Sequence, residues 1–245
     1  MLIKKMPWAG IYVQGEDQNI VIDPLYHFPT AFGTSHEELV PLDEFGPVDA
    51  VFITHHHGDH FDPEAIIRFY GDDIPVYLPQ DSLKLVEGSP LKQLIGVSLG
   101  DTIAIEGFII TAAQSVDGLG DPQVSWIVAE EGKKLIHSGD TLWHGYWWKI
   151  QKAYGPFDAA CLPVNGAVLE LPRLRPSGQP ITLTPEQAAA AALVLEASVL
   201  VPIHYKAIHH PPLYAETPNV LDRLLASAEG KIELAILETN ECLLL

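Results

Sequence analysis

The sequence is short of several things, and each shortage excludes a class of protein. Its two cysteines, Cys161 and Cys242, have no paired spacing, so no disulfide framework is expected and a reduced compartment, the cytoplasm, is the natural setting. No apolar run is long enough to cross a bilayer: the longest, Ala188 to Val201, is interrupted by Glu196. Residues 1–7 carry charge but no apolar stretch follows them, so neither a signal peptide nor a membrane partner is expected. Basic residues are scarce, 14 against 32 acidic ones, for a formal charge of -18 and a pI near 4.8. Such a surface repels nucleic-acid phosphate at long range, and solubility is explanation enough for the acid excess. There is no internal repeat and no low-complexity linker, and 245 residues with 47% hydrophobic content can bury a core as one domain, 1–245.

What the sequence does have is a dense run of metal-ligand residue types, Thr54-His55-His56-His57-Gly58-Asp59-His60, directly after the apolar run Val48 to Ile53. That run reads as a buried strand, and residues two apart on a strand share a side, so His55 and His57 can present their imidazoles together where it ends. Gly58 permits a sharp turn that swings Asp59 and His60 into the same space. Asp62-Pro63-Glu64 then offers an N-cap, a proline at the first helical position and an early acid, which predicts a helix to about Phe69. Histidine is the commonest nitrogen ligand for zinc, and aspartate adds oxygen for borderline and hard divalent ions. Four such residues could hold one metal or divide between two.

Two later residues repeat the placement. Asp140 follows the strand-like Lys134 to Ser138 across Gly139, and His204 ends the apolar run Val199 to Ile203. His137, three positions before Asp140, would point to the other face and is not counted as a ligand. Asp23, at the end of the run Asn19 to Ile22, stands where it could support the site from behind, though a turn-forming Asp-Pro reads equally well.

The set His55-x-His57-x-Asp59-His60, Ser138-Gly139-Asp140-Thr141 and Val201-Pro202-Ile203-His204-Tyr205 resembles the metallo-β-lactamase superfamily. With Leu162-Pro163-Val164-Asn165-Gly166 and Leu183-Thr184-Pro185-Glu186-Gln187-Ala188 it is similar to the L-ascorbate-6-phosphate lactonase-like branch. The resemblance implies an α/β fold, a four-layer αββα sandwich of two mixed sheets flanked by helices. It implies that His55 and His57 serve one metal site, that Asp59, His60 and His204 serve a second, and that Asp140 bridges them. One or two divalent ions, zinc, manganese or iron, are the implied cofactors.

The sequence departs from that pattern at one place. The family has a histidine ligand between the strands Phe108 to Thr111 and Val124 to Ala129, whereas no histidine occurs between His60 and His137. Gln114 falls where it should be. A first site of His55, His57, Asp140 and Gln114 would be weaker or richer in oxygen. The resulting expectation is a hydrolase using a metal-activated water, with Asp59 and His204 as catalytic candidates. The alternatives are an iron-dependent oxidoreductase on the same scaffold, or a metal-binding protein that has lost catalysis through Gln114.

Residues 167–181 form an irregular segment with two of the four arginines, Arg173 and Arg175, which would suit an anionic ester, lactone or phosphodiester as the small-molecule substrate, or else be salt-bridged to surface acids. Tyr205 and His144 are further substrate-contact candidates. Trp143, Tyr146, Trp147 and Trp148 could line a pocket, but packing in the core or at a contact between copies in a homo-oligomer is the better use. The remaining runs predict an opening hairpin at 10–14 and 19–22, a long loop at 25–47 beside the site, a strand at 75–78, a helix at 81–87, and antiparallel strands from Val97 onward. A helix is predicted from Thr184, and a last helix and strand at 221–227 and 232–237.

Overall fold

The computed structural model describes residues 1–245. One seven-stranded sheet holds β1 (Leu2–Lys5), β2 (Ile11–Gln14), β3 (Asn19–Ile22), β4 (Ala50–Phe52), β5 (Val76–Pro79), β6 (Leu94–Val97) and β16 (Cys242–Leu244), in the order β16-β1-β2-β3-β4-β5-β6. The other holds β7 (Thr102–Ile105), β8 (Phe108–Gln114), β9 (Val124–Glu130), β10 (Lys133–His137), β11 (Phe157–Pro163), β13 (Ala197–Ile203) and β15 (Glu233–Leu234), in the order β15-β13-β11-β10-β9-β8-β7. Each sheet is mixed: β3 to β6 run parallel, as do β10, β11, β13 and β15, while the hairpin strands are antiparallel. A two-stranded ribbon, β12 (Val168–Leu169) with β14 (Tyr214–Ala215), lies apart from both.

Strand alternation explains the layers. Ile11, Val13, Ile20, Ile22 and Phe52 meet Phe108, Ile110, Trp126, Val128 and Val201 in a core between the sheets. Their alternating neighbours Tyr12, Val21, Val51 and Ile53 turn outward onto α1 (Pro63–Tyr70). On the other side Ile127, Ile136, Ala160 and Leu200 pack under α2 (Trp147–Tyr154), α3 (Pro185–Val194) and α4 (Val220–Ala228). The result is the expected αββα sandwich, and no helix is long and apolar enough to cross a membrane.

Both predicted caps are present. The Asp62 side chain accepts from Ala65 N, and Thr184 and Gln187 form a reciprocal capping box at α3. Asp62 also accepts from the backbone N–H groups of Tyr26 and His27, which ties the 25–47 loop to the start of α1 beside the site. Several expectations need correction. Residues 81–87 make a 3₁₀ turn, Gln80–Leu85, rather than an α-helix. The strand around Val97 lies parallel to β5 in the first sheet, so the chain changes sheet only after it, at the Gly100 turn. The last strand is shorter than predicted, and the sequence after it returns as β16 to pair with β1, strands the sequence did not announce.

Candidate metal centre

Strand ends carry the predicted residues to one end of the sandwich. β4 delivers His55 and His57, and the chain then folds back because His57 O accepts from both His60 N and Phe61 N, at 2.9 and 2.8 Å. Gly58 is not in the left-handed region, so this turn is made by hydrogen bonding. The turn after β10 does need glycine: Gly139 has φ +66, and a Cβ there would stand 2.9 Å from Thr54 Oγ1. β13 delivers His204, itself left-handed at φ 58.

Three clusters result, of which two are largely buried and the third, His56, His57 and Asp121, is half-buried and shares His57. His55, His57, Asp117 and Asp140 offer one ligand atom each within 4.8 Å of one another, and so do Asp59, His60 and His204. The separations are 3.7 Å for His55 Nε2 to Asp140 Oδ2, 3.8 Å for His57 Nδ1 to Asp117 Oδ1, and 3.6 Å for His204 Nε2 to Asp59 Oδ2. These are too long for good hydrogen bonds. They are close to the roughly 3.3–3.6 Å between neighbouring ligands of one tetrahedral ion with bonds near 2.0–2.2 Å.

The rear of three of the imidazoles, His55, His57 and His60, is anchored, which fixes the atom that faces forward. Asp23, fully buried, accepts from Thr54 N at 2.8 Å, from Thr54 Oγ1 at 2.6 Å and from His60 Nδ1 at 2.8 Å. Thr54 Oγ1, its proton given to Asp23, accepts from His55 Nδ1 at 3.1 Å. His57 donates from Nε2 to Asp121 at 2.9 Å. Lone pairs therefore remain on His55 Nε2, His57 Nδ1 and His60 Nε2. Buried atoms without any partner include His55 Nε2, His60 Nε2, Asp140 Oδ1 and both nitrogens of His204. Lone pairs buried and facing one another are costly unless a cation stands between them, so these residues fit a metal.

The electrostatics follow from burial and proximity. Burial depresses His55 and, to about 4, His204, keeping both neutral. Burial raises Asp140 to about 7, against the pull of His60 and with Asp117 and Asp59 adding repulsion. Without a cation beside it His60 goes up to about 9, because Asp59 and Asp23 outweigh its burial, so a metal at Nε2 would take the place of a proton. Asp59 is held well below the usual carboxylate range by His60 and His204 despite its own burial.

The structure does not bring all the expected residues here. Gln114 closes β8, opposite Val124, and the loop that follows carries Asp117 into the first cluster. Asp117 Oδ2 accepts from Leu119 N and Asp121 N, at 2.8 and 2.9 Å, so the carboxylate folds its own loop and leaves Oδ1 facing His57. A search for carboxylates as well as histidines would have found Asp117-Gly-Leu-Gly-Asp121 between two strands. Trp8 was also missed. Its indole N–H donates to Asp59 Oδ2 at 3.2 Å and its ring lies 3.9 Å from that of His204.

A cavity of about 210 Å³ opens on the clusters, lined by His57, Asp59, Asp117, Asp140 and His204 and walled by Phe32, Leu119, Leu169, Leu171, Ile181 and Tyr214. The four substrate-contact candidates are elsewhere. Arg173 and Arg175 are exposed at the tip of their segment, which contributes leucines to the wall instead. Tyr205 borders a separate polar cleft with Lys5, Glu37 and Glu238. His144 stacks on the buried Trp147 with ring centroids 4.2 Å apart. Trp143, Tyr146 and Trp148 face solvent. One loop thus serves two purposes: Asp117 faces the imidazoles and Leu119 the cavity, while Gly118 between them packs so tightly that a Cβ would stand 2.2 Å from Ile181 O.

Residues 18–205 match the model of the beta-lactamase superfamily domain. The chain belongs to that superfamily. It is 30% identical to a UPF0173 metal-dependent hydrolase of Pyrococcus horikoshii, over 98% of this chain and 97% of that one, and so groups with the superfamily's metal-dependent hydrolases. Solved structures of similar fold include a metallo hydrolase of Ignicoccus hospitalis, with TM-score 0.73 and 23% identity over 99% of this chain and 97% of that one. An isothiocyanate hydrolase from Delia radicum gut bacteria aligns with TM-score 0.76 and 22% identity, over 100% of this chain and 99% of that one.

Proposed function

We propose that this protein is a metal-dependent hydrolase of a small, uncharged substrate with an apolar body. The observation that carries the reading is the convergence of partnerless, buried imidazole and carboxylate atoms on the floor of an apolar-walled cavity. At about 210 Å³ the cavity is smaller than the roughly 300–1,000 Å³ usual for drug-sized ligands, and no lysine or arginine lines it. Away from the metals, no cationic side chain of the lining would grip a carboxylate or phosphate, and the wall offers an apolar surface instead.

In this reading His55, His57, Asp117 and Asp140 would hold one divalent ion, and Asp59, His60 and His204 would hold a second. Divalent ions so held supply the positive charge that acidifies a water and polarises the bond to be cleaved. The chain's own residues do the rest. Asp23, Thr54 and Asp121 hold the imidazoles at fixed tautomers. The Trp8 indole fixes Asp59, whose second oxygen is free to orient the attacking water. Leu119, Leu169, Leu171 and Ile181 exclude bulk water from the cavity. The Asp117 carboxylate gives the first cluster a fourth ligand-type residue, so catalysis need not depend on Gln114. Its two imidazoles and two carboxylates suit manganese or iron as well as zinc.

The test is elemental analysis of the purified protein, followed by turnover with the found metal restored. The panel pairs neutral aryl esters, aliphatic lactones and an alkyl isothiocyanate, the class named for one structural neighbour, with phosphodiesters of the same size. Turnover of neutral substrates is expected; turnover of phosphodiesters alone would refute the reading.

A further inference from the structure

One line of hydrogen bonds ends at the cavity. It starts at the Ala167 N–H, which can only donate, and goes to Thr182 Oγ1 at 3.2 Å. The Thr182 hydroxyl donates to Asn165 Oδ1 at 2.6 Å, and Asn165 Nδ2 donates to Tyr214 Oη at 2.7 Å. Thr182 and Asn165 are fully buried and Tyr214 is 3% exposed. The direction is set by elimination. With the amide of Asn165 turned over, Thr182 would receive two donors and its own buried proton would have no acceptor, an arrangement that costs the desolvation of that group.

Tyr214 Oη therefore spends its acceptor capacity on Asn165 and keeps its own O–H for another partner, with no acceptor for it in the protein. The ring stands in the cavity wall against Phe32, 5.4 Å between centroids, across from Asp59, Asp140 and His204. Asn165 and the tyrosine itself are fixed by the fold: Thr217 N donates to Asn165 O at 2.8 Å, and β14 pairs Tyr214 with Leu169.

We propose that Tyr214 is a catalytic hydrogen-bond donor whose phenol O–H takes the substrate's acceptor atom, a carbonyl oxygen or its equivalent, as charge develops on it. Asn165 and Thr182 are positioning residues that aim the proton into the cavity. This rests on the hydrolase reading and narrows its substrate class to a compound with one acceptor atom on an apolar body. Burial, with Asp59 and Asp140 beyond, pushes the phenol well above its ordinary value, so it donates without ionising. No bond to the proton breaks; the gain is a donor preorganised in a dry site.

Two measurements test the role separately from the hydrolase reading. On p-nitrophenyl butyrate, metal-loaded Tyr214→Phe should keep its metal content and lose kcat on the order of a hundredfold. Its KM should move less than about threefold, and Thr182→Val should lower kcat in a way that Thr182→Ser restores. Tyr205→Phe is the control and should match the wild type. Independently, 2-heptanone binding to the metal-free protein, followed by NMR, should weaken about tenfold in Tyr214→Phe, while binding of heptane is unchanged. Absence of ester turnover in the wild type counts against the hydrolase reading, and the ketone result then decides the donor role. Equal ketone affinity in wild type and Tyr214→Phe, or no ketone binding at all, overturns the proposal.

Discussion

Asp23 and His60 form a pair without solvent contact, Oδ2 to Nδ1 at 2.8 Å, in which the carboxylate also takes both donors of Thr54. An amide at this position would turn one oxygen into a donor facing either the Thr54 backbone N–H or the imidazole. Asp23→Asn should therefore weaken metal affinity by about 10- to 100-fold, as losses of such supporting partners do. Competition against a chelator of known affinity measures this, and an unchanged affinity would show that the pair does not orient His60.

Asp117 and Gln114 make opposite predictions about the first cluster, and two variants separate them. Asp117→Ala should reduce the bound metal from two ions toward one per chain, whereas Gln114→Ala should leave the stoichiometry as it is. Asp121→Asn, which still accepts from His57 Nε2, should have a smaller effect than Asp117→Ala. Elemental analysis distinguishes them, and loss of an ion from Gln114→Ala would reverse the assignment.

Chelation should destabilise the whole domain, since it leaves facing lone pairs inside the fold. At a thousandfold excess of metal over its Kd the bound state gains about 4 kcal/mol over the metal-free one. The difference is read as a lower Tm after chelation and its recovery on adding metal back. A Tm indifferent to metal would place the lone pairs in contact with water.

The wall of the cavity, rather than the arginines, should set substrate preference. Arg173→Ala and Arg175→Ala together should leave KM for a neutral ester within about twofold, while Leu171→Glu should raise it by roughly tenfold or more. Steady-state kinetics on one ester suffices. A KM rise in the double arginine variant would bring those side chains back to the site.

His144 predicts an acid-dependent loss of stability away from the metals. Its burial lowers it from 6.5 to about 4, so below pH 6.5 the unfolded chain takes up a proton that the folded one refuses. The contribution is fully present above pH 6.5 and lost progressively as pH falls to about 4, up to roughly 3 kcal/mol. Urea unfolding of the metal-free protein at pH 7.5 and 4.5 should show a larger drop for the wild type than for His144→Phe, which keeps the stacking on Trp147. Equal drops would contradict it.

What was legible in the sequence was local. His55, His57, Asp140 and His204 each end an apolar strand, and the caps at Asp62 and Thr184 are read from neighbouring residues. The misses are all matters of tertiary reach. Asp117 enters the cluster through a loop that its own side chain folds, which no strand periodicity announces. Arg173 and Leu171 are two residues apart, and only the fold decides which one faces the cavity. Tyr214 lies on a strand of two residues, too short for any periodicity, and its role depends on Asn165 and Thr182, far away along the chain. The pairing of β1 with β16 joins the extremes of the chain, which no local pattern encodes.

The short span from Asp117 to Leu119 makes inorganic and organic ligands interdependent. An ion held by the Asp117 carboxylate would also fix the leucine two residues on, with Gly118 pressed against Ile181 between them. Thermodynamic reciprocity then requires that whatever factor the ion adds to the substrate's grip, the substrate returns to the ion. Metal would accordingly be retained best during turnover, and a resting protein stripped of substrate would be the form most prone to lose it.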